Sequence, residues 1–302
     1  MAATAKHALQ EIAHDISGSR RAHALLQLTF SLDSTSGRTF LADSYQDAPL
    51  KVVRAFTLED GTALAHLHNV SGGLLGGDRL AMQVNLTSGA KAQLTTTGAT
   101  RIYRSCEGAS ATTQCNEASI AEDALLEYLP DATIPFAGAR YLQRTSINLA
   151  ARAGLFWWEI LAPGREARGE LFEYEEFATR ISVSALGRRI AAENLCLRPR
   201  QENVSSLARL GPYPYAATFY ICRLGLEAGV WRGAEDQLRE LTAAMTRRGE
   251  ILWGVSSLVA HGLIVRCLAR NGREVLPGLQ AIWRSAKRHL YDREAIPPRK
   301  VN

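Results

Sequence analysis

The sequence predicts a mainly β protein: a single extended, multi-stranded β domain with about two α-helices near the C-terminus. Three observations carry that expectation. Apolar and polar residues alternate with period 2 in run after run through the first two thirds of the chain. Gly, Pro, Asp and Ser separate these runs at the spacing of a multi-strand domain. Helical periodicity emerges only after Pro212-Tyr213-Pro214.

The elements follow in chain order. Residues 1–20 carry His7, Glu11, His14 and Asp15 and no apolar run, so a flexible N-terminal segment without signal-peptide character is expected. The domain is then expected over residues 21–302. In Leu26–Leu32, the residues Leu26, Leu28, Phe30 and Leu32 alternate with Gln27, Thr29 and Ser31, as in a half-buried strand. Leu80, Met82, Val84 and Leu86 repeat the pattern. Further strands are expected at Leu64–Val70, Ala92–Thr97, Ala111–Glu117, Tyr141–Leu149, Leu155–Leu161, Ala178–Val183 and Arg189–Leu197. Ile251–Cys267 reads as strand broken by Gly254 and Gly262. A helix near 234–248 is predicted because Leu238, Leu241 and Met245 fall on one face. A second, over 274–291, aligns Leu279, Ile282, Trp283, Ala286 and Leu290 and places Lys287, Arg288 and His289 where positive charge suits the helix dipole.

Composition limits the function classes. With 46% hydrophobic and 22% charged residues, disorder is not the main state. No apolar stretch approaches the roughly 20 residues that span a bilayer, so a soluble, cytoplasmic protein without a membrane partner is expected. Cys106, Cys115, Cys196, Cys222 and Cys267 are scattered without a C-x-x-C pair, which argues against a disulfide framework or a structural zinc site. The formal net charge is +5, and 30 of the 35 basic residues are Arg. They stand singly or in pairs, so no nucleic-acid surface is expected.

Five segments carry candidate chemistry. Ser71–Asp78 places Gly72, Gly73, Gly76 and Gly77 within six positions, a backbone suited to tight turns and close approach. It lacks phosphate-loop spacing and leads into a strand, so a turn capped by Asp78 is the better reading, with a polar cavity as the other destination of that side chain. His66 and His68 share one strand face and could together bind a transition metal. Thr95–Ser105 is rich in hydroxyls and ends in Arg101, Tyr103 and Arg104, with both arginines expected in ion pairs. Glu127 and Glu170 lie among apolar residues and must find partners or lose their charge.

Four blocks stand in the order and spacing of a known family: Ser71–Asp78 (SGGLLGGD), Thr96–Ser105 (TTGATRIYRS), Leu126–Phe136 (LEYLPDATIPF) and Gly154–Phe172 (GLFWWEILAPGREARGELF). They resemble the UreD (UreH) family of urease accessory proteins, and Leu263–Leu268 and Pro298-Arg299 resemble its C-terminal blocks. Thr97 and Asp131 stand where the family often has Gln, and Lys300-Val301-Asn302 where many members have an aromatic residue. The resemblance implies a non-catalytic scaffold that binds UreF directly and UreG through it, docks on the urease apoprotein, and passes Ni²⁺ through an internal polar passage without a tightly bound cofactor. By motif, Asp78, Glu127, Glu170 and Thr96 become candidate passage residues, with His66 and His68 behind them. Trp157, Trp158 and the C-terminal helix are expected to offer apolar surface to a partner. The alternative from another class is a metal-dependent hydrolase using His66, His68 and Asp78.

Overall fold

A computed structural model describes residues 22–298, apart from 107 and 109. The expected flexible segment at 1–20, and the final residues with their departure from the family pattern, lie outside the described residues. One sheet comprises β1 (His23–Asp33), β2 (Arg38–Gln46), β6 (Arg79–Leu86), β9 (Thr112–Ile120), β12 (Arg140–Leu149), β14 (Glu176–Ala185) and β15 (Arg188–Leu197), in the order β15-β14-β12-β9-β6-β1-β2. The other comprises β3 (Leu50–Lys51), β4 (Ala55–Thr57), β5 (Ala63–Asn69), β7 (Lys91–Thr96), β8 (Thr100–Ile102), β10 (Leu125–Tyr128), β11 (Thr133–Pro135), β13 (Gly154–Leu161), β16 (Tyr215–Arg223), β17 (Ile251–Ser257) and β18 (Gly262–Ala269). Its main path runs β17-β18-β16-β13-β10-β7-β5-β3. Helices α1 (Ala228–Met245) and α2 (Val275–Tyr291) cover the outer face of this second sheet.

From β5 to β14 the main strands alternate between the sheets. β5, β7, β10 and β13 pair in parallel in one, and β6, β9, β12 and β14 pair in parallel in the other. Each parallel crossover, normally made by a helix, is made here by a strand of the facing sheet. The second sheet is consequently buried on both sides. Leu155 and Trp157 of β13 face the first sheet, while Phe156, Trp158 and Ile160 pack under the helices. That double burial explains why β13 reads as a continuous apolar run, whereas β1, covered on one face, alternates cleanly.

Each strand expected from alternation lies within or beside an observed one, with small shifts at the ends. Leu32 is the exception within β1, being more than a third exposed as the strand leaves the core. Gly254 does not break β17, which continues through it to Ser257, and Gly262 opens β18. The first helix begins at Ala228, earlier than its apolar spacing indicated. β16, in the region where the sequence pattern changes and no strand is expected, is a central strand hydrogen-bonded to β13 and β18. Trp157 and Trp158 are 1% exposed and Trp283 of α2 is fully buried, so the apolar surface expected of them is interior. Trp158 donates its indole N–H to the Pro130 carbonyl at 2.8 Å.

Candidate functional site

The glycine run and the Tyr-Arg block, read separately in the sequence, form one structure. Leu74 bridges Ile102, donating its N–H to the Arg101 carbonyl and accepting from the Tyr103 N–H, both at 2.8 Å. Gly72 and Gly77 turn the loop at φ 78° and 91°, in the left-handed region. Gly73 and Gly76 allow close approach instead. A Cβ on Gly73 would overlap the Tyr103 ring, and one on Gly76 would lie 2.6 Å from Ser105 Cα. Tyr103 stacks edge-on against Phe136 at 5.1 Å, and Phe136 lies 4.4 Å beneath the Arg165 guanidinium. Arg165 pairs with Glu170. All four sequence blocks therefore meet at one corner of the sandwich. Arg101 and Arg104 are exposed and make no ion pair among the described residues, contrary to the expectation for them.

The candidate carboxylates are occupied by the protein itself. Asp78, 2% exposed, accepts the Ala22 N–H at 3.0 Å and the Leu75 N–H at 2.8 Å, capping the glycine turn. Glu127 on β10, fully buried, accepts from Gln93 at 3.1 Å, Trp283 at 3.0 Å and Lys287 at 3.1 Å. Lys287 is itself 1% exposed, so a buried ion pair fastens α2 to the second sheet. Glu170 accepts from Arg165 Nε at 2.8 Å and from the Ala137 N–H at 3.3 Å. The hydrogen-bonded Arg165 holds its carboxyl below the usual range. Thr96 Oγ1 accepts the Asp131 N–H at 2.9 Å. His66 and His68 do share a face, and both border a groove of about 850 Å³ walled by Val53, Phe56, Leu64 and Ile296. Asp78 has both carboxylate oxygens bound to backbone N–H groups and is not free to join them. Among the described residues no group of three or more His, Cys, Asp or Glu is arranged to hold a metal.

The polar groups that do come together lie between the sheets and were not singled out in the sequence. Glu159 of β13 points across the sandwich and accepts from Gln143 of β12 at 2.7 Å and from Trp157 at 3.2 Å. Gln143 also donates to Thr145 at 3.2 Å, which in turn accepts from Asn116 at 3.3 Å. Tyr141 Oη sits 2.8 Å from Gln114 Oε1 and 2.9 Å from Gln143 Oε1. Tyr220 of β16 donates to Glu193 of β15 at 3.0 Å, and Arg266 pairs with the same oxygen at 2.8 Å. Burial pushes the Glu159 carboxyl up, opposed by its hydrogen bonds from Trp157 and Gln143. The net effect favours the neutral form relative to an exposed carboxyl.

Two cavities follow this seam. One, of about 270 Å³, opens beside His68, Asn69 and Gly72 and passes Thr96 and Arg101. The other, of about 80 Å³, runs past Asp131, Gln143 and Glu159 to Glu193 and Tyr220. Thr100, Gln114 and Tyr128 line both. Asp78, Glu127 and Glu170 line neither, whereas Thr96 and His68 line the first. Glu159 carries a usable sequence signal: it is a carboxylate inside the apolar run Phe156–Leu161, as Glu127 is among its own apolar neighbours. Gln114, Tyr141 and Gln143 carry none, because polar residues on a strand are expected to face solvent.

Comparison with known proteins places the chain. The family model described as UreD urease accessory protein matches residues 22–302. A urease accessory protein UreD from Herpetosiphon aurantiacus is 47% identical over 281 residues, covering 93% of this chain and 97% of the relative. That of Lysinibacillus sphaericus is 35% identical over 196 residues, 65% of this chain and 73% of the relative. One from Staphylococcus aureus is 27% identical over 269 residues, 89% and 95% of the two chains. The match spans both sheets, the helices and the corner where the four blocks meet, and the chain belongs to the UreD family of urease accessory proteins.

Proposed function

We propose that this protein is a non-catalytic scaffold for nickel insertion into urease, and that Ni²⁺ travels along the polar seam between its two sheets. The reading is supported by one observation above the others: two cavities sharing Thr100, Gln114 and Tyr128 thread a sandwich whose interior would otherwise be apolar. Among the polar groups of the walls, oxygen ligands predominate. Glu159, Glu193, Gln143, Thr100 and Tyr141 offer a borderline cation weak, replaceable ligands, where thiolates or clustered imidazoles would retain it. The cavity walls are held open by hydrogen bonds that the lining groups make to one another, so the seam does not need to collapse to satisfy them.

In this reading the motif carboxylates are architectural. Asp78 shapes the corner, Glu127 anchors α2, and Glu170 holds Arg165 over Phe136. The passage role moves from them to Glu159 and Glu193, while Thr96 and His68 keep a place at its wider end. UreF as direct partner, UreG through UreF, the urease apoprotein as recipient, a cytoplasmic setting and the absence of a tightly held cofactor complete the proposal. They follow from the family resemblance.

The test is urease activation in cells that express urease with its accessory proteins. Omitting this chain is expected to leave urease largely inactive; full activity without it would end the scaffold reading. A Glu159→Gln, Glu193→Gln chain is expected to co-purify with its partners at wild-type level yet lower urease nickel content and activity severalfold. Full nickel loading by that folded, partner-bound variant would remove the passage and leave the scaffold.

A further inference from the structure

A second charged recess lies at the end of the sandwich opposite the seam. Lys91, Leu125, Gly154 and Arg223 form one rung across β7, β10, β13 and β16. Directly paired residues share a sheet face, and Leu125 belongs to the core beneath the helices, so this rung looks toward α2. At about 4.8 Å per strand the rung spans about 14 Å from Lys91 to Arg223. One of its two interior members is a glycine for a visible reason: a Cβ on Gly154 would overlap the Tyr291 hydroxyl at the end of α2. Lys91, Leu125 and Arg223 of this rung border a recess of about 300 Å³, together with the charged groups Lys287, Arg293, Arg152, Asp60 and Asp123.

The charges of the recess do not balance. Five cations line it against two carboxylates. Lys287 is committed to Glu127, and Arg152 to Glu122 and Asp123. Lys91, Arg223 and Arg293 form no ion pair among the described residues, and Asp60 lies 3.9 Å from Lys287. Arg223 rests its guanidinium 4.2 Å over the Tyr291 ring. Stacking occupies the face of that group and leaves its in-plane N–H donors available for a planar or tetrahedral oxyanion. Burial, and after it the nearby Arg293, lowers the pKa of Lys91, with Lys287 adding to the repulsion and Asp60 opposing it. Cations crowded in this way are relieved by a bound counter-charge.

We propose that the recess formed by Lys91, Arg223 and Arg293 binds a small multivalent oxyanion of the phosphate class. A free inorganic anion and the phosphate tail of a nucleotide share that chemistry. The volume corresponds to about ten waters at roughly 30 Å³ each, room for a diphosphate rather than a monovalent ion alone.

Isothermal titration of the full chain with inorganic phosphate, pyrophosphate and ATP, at constant ionic strength set with chloride, tests this. Saturable binding is expected, tighter for pyrophosphate than for phosphate. Lys91→Gln and Arg223→Gln should each weaken it about tenfold, as loss of a charge-assisted hydrogen bond would. Arg188→Gln, on the far edge strand, should leave it unchanged. Equal affinity for pyrophosphate and ATP would assign the site to the phosphate groups alone, and tighter ATP binding to a nucleotide; either supports the proposal. If Arg223→Gln melts early through loss of its stack on Tyr291, the exposed Arg293→Gln replaces it, with the same expected weakening. No saturable binding of any of the three anions, or wild-type affinity in the folded variants, overturns it.

Discussion

At the scale of single residues, similar side chains have opposite fates according to what surrounds them. Glu127 has three donors and no cavity; Glu159 has two donors and a cavity beside it. Removing one member of a buried pair leaves the other uncompensated, so Lys287→Met is expected to cost about 3–5 kcal/mol, read by urea unfolding. The double variant Glu127→Leu, Lys287→Met should recover most of that loss. Asp78→Ala would strip acceptors from the Ala22 and Leu75 N–H groups, with an expected cost of about 1–3 kcal/mol. For Glu159 the sign is set by its raised pKa. The folded state binds its proton more readily, so the charged carboxyl lowers stability as pH rises from the unfolded value of about 4.3 through the folded one. Glu159→Gln should melt above wild type at pH 7 and converge with it in acid, below the unfolded value. A difference that persisted unchanged into acid would show that packing, not titration, is responsible.

At the scale of elements, the corner loop and α2 illustrate two ways a sequence signal can be partial. The loop announced itself through its glycines, read as serving the backbone. The reason differs from position to position, since Gly77 needs a positive φ whereas Gly76 needs the space beside Ser105. Gly77→Val and Gly76→Val are both expected to lower the melting temperature. The tightest overlap at Gly76 is with the Ser105 Cα, which no side-chain change removes, so a Gly76→Ala, Ser105→Gly pair should still melt below wild type. Helix α2 was legible from Leu279, Ile282, Trp283, Ala286 and Leu290, all of which are buried. Lys287 was expected among the cations that suit the dipole, yet it faces inward, because Glu127 waits beneath it. Trp283 fills the core and donates to Glu127 besides, so Trp283→Ala should cost at least about 3–5 kcal/mol in urea unfolding, from lost burial and the cavity together. β16 stayed hidden since Tyr215–Arg223 is buried on both faces and shows no period.

For the whole molecule, the alternation of strands between two sheets produces the features on which function is argued. Because parallel neighbours in one sheet are separated in sequence by a strand of the other, the loops of each turn collect at the two ends of the sandwich. Segments after β7, β10 and β13 gather at the end where the seam begins, and those before them at the end that holds Lys91, Gly154 and Arg223. Polar side chains meet in the middle only because β9, β12 and β13 present Gln114, Gln143 and Glu159 to one another. Among the described residues no helix is long and apolar enough to cross a membrane.

The sequence by itself determined the β character, most strand positions, both helices and the family, since these rest on local periodicity and on blocks of fixed order. It also marked Glu127 and Glu170 as carboxylates that had to be satisfied, though not Glu159. Which partner satisfies each one was decided by tertiary structure, because the partners are 34 residues away for Gln93 and Glu127, and 156 for Trp283 and Glu127. The same holds for the parallel winding, whose strand pairings leave no trace in a period-2 pattern. Alternation records that one face is buried; it does not record which sheet lies against that face, nor that a few polar residues there line a cavity instead of meeting water.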